Sequence, residues 1–329
     1  MNLLIGAALF AAFAVLTGPA QAQNKVVAYV PNWNDLKAYA PTIEWGKITH
    51  INVAFENPDD NGDLSFNEQN AVLLAEARKH RVPVYVSIGG GGASGDKVLL
   101  ARYSDLLSDG KRAGFVAKIA DYLARHGFDG IDVDLEGPSI GPNYGAFIAD
   151  LAPSVKAKKK GLTAALSQGY GGEKVPASAF ALFDWVNIMA YDGAGPWNPD
   201  VPGQHSSLEF AKSNVAYWLK RGLPKNKAVL GVPFYGYGFG KAFKKRDYPY
   251  NEIVAAYPGA ENRDEVGETI WYNGVPTILA KAEYAREQGL AGVMIWSLDL
   301  DSTGNRSLLT ALHNGLRPKS GLTKTKPRR

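Results

Sequence analysis

Residues Phe128 to Glu136 read Phe-Asp-Gly-Ile-Asp-Val-Asp-Leu-Glu, so that apolar and acidic residues alternate from Ile131 onward. A β-strand has a side-chain period of two, which puts Asp132, Asp134 and Glu136 on one face and three aliphatic side chains on the other. The three carboxyl groups then occupy about 13 Å of strand. Crowded like charges favour the protonated form, so at least one carboxyl group should have a raised pKa and be suited to general acid catalysis.

Two other interpretations of this acidic row are a metal site and a solvated edge strand. An exposed edge strand would not carry Ile131, Val133 and Leu135 on its second face, whereas a parallel strand covered by helices would. We therefore predict a buried parallel strand with carboxyl groups along its other face.

Short β-branched or apolar runs recur along the chain and predict a parallel sheet. Eight runs are found: Val26–Val30, Ile48–Phe55, Val82–Ile88, Gly130–Glu136, Leu162–Gln168, Trp185–Tyr191, Ala228–Phe234 and Gly292–Leu298. Helix-period stretches lie between several of them: Glu68–Lys79, Lys111–Arg125, Tyr144–Ala157, Ser207–Arg221 and Thr277–Glu287. This α/β alternation predicts a single-domain (β/α)8 TIM barrel, with a doubly wound open sheet as the alternative. In such a barrel the chemistry lies at the C-terminal strand ends, where Glu136 falls.

The acidic row also resembles a known family signature. Asp129 to Glu136 matches the Asp-Gly-x-Asp-x-Asp-x-Glu pattern of glycoside hydrolase family 18, the chitinases and their relatives. Ser87-Ile-Gly-Gly resembles the family's element beside the catalytic strand, and Met189-Ala-Tyr-Asp resembles its Met-x-Tyr-Asp element. Trp296 ends the last strand, where the family keeps the floor of its central sugar pocket. The resemblance extends over about Val26 to Leu316.

The resemblance implies a retaining mechanism in which the substrate assists the reaction. Glu136 would be the acid, and Asp134 would hold the acetamido N–H of the substrate, while Asp132 tunes Asp134. Tyr191 would orient the acetamido carbonyl, and Asp192 would shape the same pocket. Met189 would lie beside them. Such a mechanism requires an N-acetyl group at the cleaved bond.

Aromatic residues at strand ends and in the loops that follow them point to a sugar groove, because aromatic faces stack on the apolar faces of pyranose rings. The candidates are Tyr29, Trp33, Phe55, Trp197, Tyr235 and Trp296. Only 56 residues separate Tyr235 from Gly292. The α+β insertion domain of many family members is therefore expected to be missing or vestigial, which favours an open cleft and endo-type, non-processive cutting.

The expected substrate is chitin or chitooligosaccharide, cleaved by an endo-acting chitinase. The chitobiose core of N-glycans is an alternative, and so is a lectin that binds chitooligosaccharides without cutting them. Lectin-like relatives typically lose the acid, whereas Glu136 is present.

Other classes of function find little support. Gly90, Gly92 and Gly95 fit a dinucleotide-binding pattern, but they follow the third predicted strand instead of the first. The five histidines lack metal-ligand spacing, so no metal or other cofactor is implied. A formal net charge of +4 is too small and too scattered to indicate nucleic acid as a partner.

The two ends of the chain differ from the rest in composition. Residues 3–16 are apolar and precede an Ala-Gln-Ala pattern ending at Ala22, which predicts a signal peptide over residues 1–22. An uncleaved anchor is the alternative, although the apolar run is short for a membrane span. We therefore expect a secreted monomer, extracellular or periplasmic, without stable membrane association. Residues 23–317 would form the catalytic domain and residues 318–329 a basic disordered tail.

Overall fold

The computed structural model describes residues 24–243, 247–267 and 269–318. The predicted signal peptide lies outside the described residues, as does the predicted tail beyond its first residue. Both therefore stay predictions.

The described residues contain twelve strands, and eight of them close into a parallel barrel. In chain order they are β1 (Lys25–Pro31), β2 (His50–Ala54), β3 (Val84–Gly89), β4 (Gly130–Asp134), β5 (Gly161–Leu166), β6 (Trp185–Ile188), β7 (Ala228–Pro233), β8 (Tyr235–Gly238), β9 (Tyr248–Pro249), β10 (Glu265–Val266), β11 (Ile270–Trp271) and β12 (Gly292–Trp296). Strands β1 to β7 pair in sequence, and β12 closes the ring by pairing with both β7 and β1. The predicted (β/α)8 barrel is confirmed, and the open-sheet alternative is wrong.

Helices surround the barrel and connect most of its strands. They are α1 (Leu36–Tyr39), α2 (Gln69–His80), α3 (Gly90–Gly95), α4 (Lys97–Leu106), α5 (Arg112–His126), α6 (Tyr144–Ala157), α7 (Leu208–Lys220), α8 (Tyr250–Ala256), α9 (Val275–Gln288) and α10 (Leu308–Leu316). All five predicted helices are found, with ends within two residues of the prediction. Between β5 and β6 the chain forms 3-10 turns, including Ala177–Ala181, in place of an α-helix.

Alternating side chains divide each barrel strand between two apolar layers. On β1, Val26, Ala28 and Val30 pack outward against the helices, whereas Val27 and Tyr29 point into the barrel. The aliphatic side chains of β4 likewise belong to the outer layer, as the alternation predicts. Each fully buried aliphatic side chain contributes about 1.5–3 kcal/mol through removal of apolar surface from water.

Strands β8 to β11 form a separate four-stranded antiparallel sheet between β7 and α9. Its three pairings, β10 with β11, β11 with β8 and β8 with β9, each join only two residue pairs. This small sheet stands where an insertion domain would lie, so the compact form predicted from the short spacing between Tyr235 and Gly292 is confirmed.

The interior at the N-terminal ends of the strands is filled by Tyr85, which lies across Gly130 of β4 and Gly161 of β5. A Cβ atom at Gly130 would lie 2.5 Å from Tyr85 Cε2, and one at Gly161 would lie 1.9 Å from Tyr85 Oη. Trp185 covers the ring from the other side, with the two ring centroids 5.3 Å apart. The two glycines are therefore required by packing.

We predict that Gly161→Ala lowers the free energy of unfolding by about 1–3 kcal/mol, because the new methyl group overpacks the Tyr85 ring. Urea denaturation followed by circular dichroism measures the change. Gly114→Ala is the matched control, since a Cβ at this exposed α5 position meets nothing within 4 Å. It should raise stability by roughly 0.5–1 kcal/mol. Unchanged stability in Gly161→Ala would contradict the tight packing.

Candidate active site

Asp132 lies in the barrel interior, with no exposed surface, and four neighbouring side chains donate hydrogen bonds to it. Tyr29 Oη donates to Oδ2 at 2.5 Å and Ser87 Oγ at 2.9 Å. Thr163 Oγ1 donates to Oδ1 at 2.6 Å and Asn187 Nδ2 at 3.2 Å. Burial raises the pKa of Asp132, and the four donors oppose that rise. Asp132 is thus a fully satisfied carboxyl group below the cleft.

Asp134 is the next residue inward along β4, and its environment differs from that of Asp132. It is 4% exposed, and its Oδ1 has no hydrogen-bond partner among the residues that the structure describes. Burial raises its pKa well above the ordinary value, and the neighbouring Glu136 and Asp132 add to the rise. Asp134 is therefore disposed to carry or share a proton and to bond a ligand placed above it.

Glu136 follows β4 in an extended conformation, with φ −124° and ψ 156°, so it continues the inward face of the strand. It is half-buried, and burial followed by the charge of Asp192 raises its pKa to about 7. At neutral pH a large fraction of this carboxyl group is protonated. Gly91 borders it closely, since a Cβ there would lie 3.5 Å from Glu136 Oε1.

Asp192 approaches Glu136 from the end of β6 and has a left-handed backbone, with φ 62°. Its Oδ1 accepts hydrogen bonds from Tyr235 Oη and from Tyr237 Oη, the latter at 3.0 Å. The ring of buried His205 lies behind it, with Nδ1 3.6 Å from Oδ1. The hydroxyl groups of Tyr235 and Tyr237 therefore hold this carboxylate beside the acidic row.

A cleft of about 680 Å³ opens over these groups at the C-terminal ends of the strands. Among its lining residues are nine of the predicted site residues: Trp33, Phe55, Asp134, Glu136, Met189, Tyr191, Asp192, Tyr235 and Trp296. The fold thus brings predicted residues from segments spread over more than 260 positions to one cleft.

Aromatic rings line one end of the cleft. The Trp296 and Phe55 rings are stacked with centroids 5.6 Å apart, and the tilted ring of Trp33 lies 6.4 Å from Phe55. Trp33 is 63% exposed, which leaves it free to contact a ligand. These surfaces suit the apolar faces of sugar rings.

Tyr191 lines the cleft near Asp134. Burial, and next the charge of Asp134, raise the pKa of Tyr191 well above its ordinary value. The phenol therefore stays neutral and can donate a hydrogen bond. Its Oη has a weak contact with Met294 Sδ at 3.9 Å, which leaves it available for a better acceptor.

Two predicted binding residues are placed differently from the rest. Tyr29 is 1% exposed and lies beneath Trp296, where its hydroxyl group donates to Asp132. A ring so deeply buried cannot stack on a ligand, so its assignment to substrate binding is corrected to support of Asp132. Trp197 is 59% exposed and lies outside the lining set, with its ring 5.4 Å from Tyr237.

The structure adds cleft residues that the sequence analysis missed, among them Asn57, Asp96, Tyr237 and Asp247. Tyr237 had a recognisable signal, because the Tyr-Gly-Tyr-Gly alternation puts it on the same face as Tyr235. Asp96 also caps α4, accepting a hydrogen bond from Val98 N at 2.8 Å.

The glycine-rich segment after β3 forms α3 and borders the cleft. Gly89 and Gly90 have φ values of 99° and 79°. A Cβ at Gly89 would lie 2.3 Å from Asp134 O, and one at Gly90 would lie 2.5 Å from the Phe55 ring. Gly89 and Gly90 let the end of β3 pack against the acidic strand and the aromatic wall.

In the described part of the chain, no group of three or more His, Asp or Glu side chains is arranged to hold a metal ion. No helix in the same residues is both long and apolar enough to span a membrane.

The chain is similar to known proteins over most of its length. The model of Glycosyl hydrolases family 18 matches residues 25–301. Probable chitinase 10 of Drosophila melanogaster is 28% identical over 87% of this chain, which spans 16% of that longer protein. Chitotriosidase-1 of Mus musculus is 28% identical, with 84% of this chain and 73% of the relative covered. The crystal structure of the GH18 chitinase ChiB from the chitin utilization locus of Flavobacterium johnsoniae matches with a TM-score of 0.82 and 38% identity, covering 89% of this chain and 94% of that one.

Glu136→Gln should stabilise the protein at high pH. The folded chain holds this proton more tightly than the unfolded chain, so the stability that the protonated carboxyl group confers is present below its ordinary pKa of 4.5 and is lost as the pH rises through about 7. At pH 8 the variant should therefore be more stable than the native protein by on the order of 1–3 kcal/mol.

At pH 4 the difference in stability between Glu136→Gln and the native protein should nearly disappear. Urea denaturation at both pH values measures it, with Asp150→Asn, an exposed carboxyl group on α6, as the control for removing a surface charge. A difference that does not depend on pH would contradict the raised pKa of Glu136.

Proposed function

Since this chain belongs to glycosyl hydrolase family 18, we propose that it is an endo-acting chitinase that hydrolyses β-1,4-linked N-acetylglucosamine polymers. The observation that carries the proposal is the placement of Glu136, with a pKa raised to about 7, beside buried Asp134 in a cleft with aromatic walls. A protonated acid, a carboxyl group suited to an N–H donor and surfaces for sugar rings then lie in one site. The chitinases among the relatives support the same substrate class.

In the first step, Glu136 gives its proton to the glycosidic oxygen as the bond from that oxygen to the anomeric carbon breaks. The carbonyl oxygen of the substrate's own 2-acetamido group attacks the anomeric carbon and forms a cyclic oxazolinium ion. No second carboxylate is needed as a nucleophile, so Asp134 is free for another role. A raised pKa suits Glu136 to this role because the acid must be protonated when the substrate binds.

Asp134 and Tyr191 act on the acetamido group. Asp134 accepts a hydrogen bond from the acetamido N–H through Oδ1, which has no partner among the described residues. Its negative charge stabilises the oxazolinium ion, because Asp132 shares the proton of the acidic row. Tyr191, a neutral donor, orients the carbonyl oxygen for attack. Asp132 supports Asp134 from below, and the titration of the row belongs to the coupled groups together.

In the second step, Glu136 is a carboxylate and takes a proton from water. The water oxygen bonds to the anomeric carbon from the side that the leaving group vacated, and the oxazolinium ring opens to restore the acetamido group. Two displacements at one carbon give net retention of configuration. Glu136 regains its proton, so the cycle closes.

Trp296 forms the floor of the central sugar site, with Phe55 and Trp33 extending the aromatic surface away from it. An open cleft with an exposed ring at its mouth supports endo-type, non-processive cutting. Trp197 on the opposite loop is a further contact for a long chain. We also propose that the protein is a secreted monomer, on the strength of the apolar segment and Ala-Gln-Ala pattern in residues 3–22.

Glu136→Gln should lower turnover of N-acetylglucosamine hexamer by roughly 10²- to 10⁴-fold, because the amide cannot protonate the leaving oxygen. Binding should be retained, since the amide keeps the shape of the side chain. Time-resolved product analysis with anomer resolution measures the first effect, and calorimetric titration measures the second. The native protein should release dimers to tetramers that are initially β-anomers.

The outcomes separate the alternatives. Comparable turnover by Glu136→Gln would remove Glu136 as the acid. Binding of the hexamer without cutting by the native protein would indicate a lectin. Cutting of an N-glycan chitobiose core, with no action on the hexamer, would indicate an endo-β-N-acetylglucosaminidase.

The pH profile gives a second prediction. On the alkaline limb of the pH profile, kcat/KM should fall with a midpoint near pH 7, because activity is lost as Glu136 loses its proton. Asp192→Asn removes the like charge that raises this pKa, so the limb should move to lower pH. It should stay above pH 4.5, because burial contributes more than Asp192. Asp150→Asn should leave the limb in place, and an unmoved limb in Asp192→Asn would contradict the coupling.

A further inference from the structure

Lys281 of α9 is fully buried, and the proposed chemistry does not use it. Its Nζ donates to Ser206 O at 2.6 Å, to Ser206 Oγ at 2.7 Å and to Asn273 Oδ1 at 2.6 Å. An ammonium group has three hydrogens and no acceptor, so three acceptors satisfy it completely. A neutral amine would leave one of these contacts without a donor.

Burying the ammonium group of Lys281 costs free energy, so a role other than stabilisation is expected for it. Burial lowers the pKa of Lys281 to about 7, and the carboxyl group of Asp264 acts in the opposite direction. All three groups that Lys281 bonds are uncharged. A buried cation that has no directly bonded anion among the described residues is a poor way to gain stability. Its geometry instead serves to hold the groups around it in one arrangement.

Lys281 holds a short segment that we call the anchor segment, residues Gln204–Ser206. Asn273 Nδ2 donates to Ser206 O at 2.9 Å, so Ser206 is held from two directions. The side chain of Gln204 donates to Tyr272 O at 2.5 Å. The anchor segment is thus attached to α9 and to the loop before it.

The anchor segment in turn contacts the end of β6, where Tyr191 and Asp192 lie. Ser206 Oγ donates to Ala190 O at 2.6 Å. Asp192 N donates to His205 Nδ1 at 3.4 Å, which leaves His205 Nε2 to face Tyr235 O at 3.3 Å. The backbone on either side of Tyr191 is therefore held by Ser206 and His205.

We propose that Lys281 is a positioning residue for Tyr191 and Asp192, acting through Ser206 and the anchor segment. The hydrogen-bond chain runs from Lys281 Nζ to Ser206 Oγ and from Ser206 Oγ to Ala190 O. It fixes the residue before Tyr191 without touching the substrate. The proposal rests on the proposed function, in which these two residues orient the acetamido group and set the acid.

The chain offers a matched comparison. Lys227, before β7, donates to three backbone carbonyls: Phe180 O at 3.3 Å, Ala181 O at 2.9 Å and Phe183 O at 2.6 Å. These carbonyls lie before β6, at the opposite end of the barrel from the cleft. Lys227→Met therefore removes three lysine hydrogen bonds without affecting the anchor segment.

The test compares Lys281→Met, Ser206→Ala and Lys227→Met for hydrolysis of N-acetylglucosamine hexamer. Misplacing a catalytic group by about 1 Å can cost 10²-fold in rate, so the first two variants should lose roughly 10- to 100-fold in kcat. KM should change little, because Tyr191 and Asp192 act mainly in the transition state. Lys227→Met should keep its kcat while its melting temperature falls.

Limited proteolysis of the native-state proteins supplies a readout that does not need activity. Lys281→Met and Ser206→Ala should be cut faster than the native protein within residues 193–206, and Lys227→Met should not. If the native protein does not cut the hexamer, the proposed function fails, and proteolysis still decides whether Lys281 holds the anchor segment.

Native kcat in folded Lys281→Met and Ser206→Ala would overturn the proposal, as would a fall in melting temperature with no change in proteolysis or kcat. If Lys281→Met does not fold, Ser206→Ala decides alone, because it breaks the chain to Ala190 and leaves Lys281 two of its three acceptors.

Discussion

The arrangement of the site depends on one carboxyl group buried inside the barrel. Asp132 accepts hydrogen bonds from Tyr29 on β1, Ser87 on β3, Thr163 on β5 and Asn187 on β6. Four strands thereby direct polar side chains to one point on β4. An interior carboxyl group is tolerated only when it is this well bonded, since an unsatisfied one would be strongly destabilising. The same bonds fix the height of β4 within the barrel, and with it the positions of Asp134 and Glu136.

The environments of the three acidic residues change in steps along the strand. Asp132 is buried with four donors. Asp134 is buried, and its Oδ1 has no partner among the residues that the structure describes. Glu136 is half-buried beside the charge of Asp192. The protein thus meets the hydrogen-bonding needs of the first residue and leaves those of the second for a ligand. Because the charges repel one another, a proton is retained within the row, and the outermost member is best placed to give it away.

Much of this was predictable from the sequence, for reasons that are local. The acidic alternation sets the two faces of β4 whatever surrounds it, and apolar runs identify all eight barrel strands. Depth within the barrel is not a local property. Tyr29 has the inward parity of a binding residue, yet it lies one level too low to reach the cleft. In the sequence, Lys281 does not differ from an ordinary exposed lysine on a helix. Only the tertiary structure brings Ser206 and Asn273 to it.

The shortest strands are the other part of the fold that the sequence did not predict. The strands β9 to β11 have two residues each, too few for any period to show, and they are defined by pairing with one another. Among the described residues, the small sheet pairs within itself and not with the barrel strands. It bears Tyr235 and Tyr237, whereas the acid follows β4 on the barrel. The link between them is Asp192, which accepts hydrogen bonds from both tyrosines and helps to raise the pKa of Glu136. Mutation can therefore lengthen or trim the short strands of this wall in descendants of this protein, but the acid keeps its strength only where the two tyrosines stay in place.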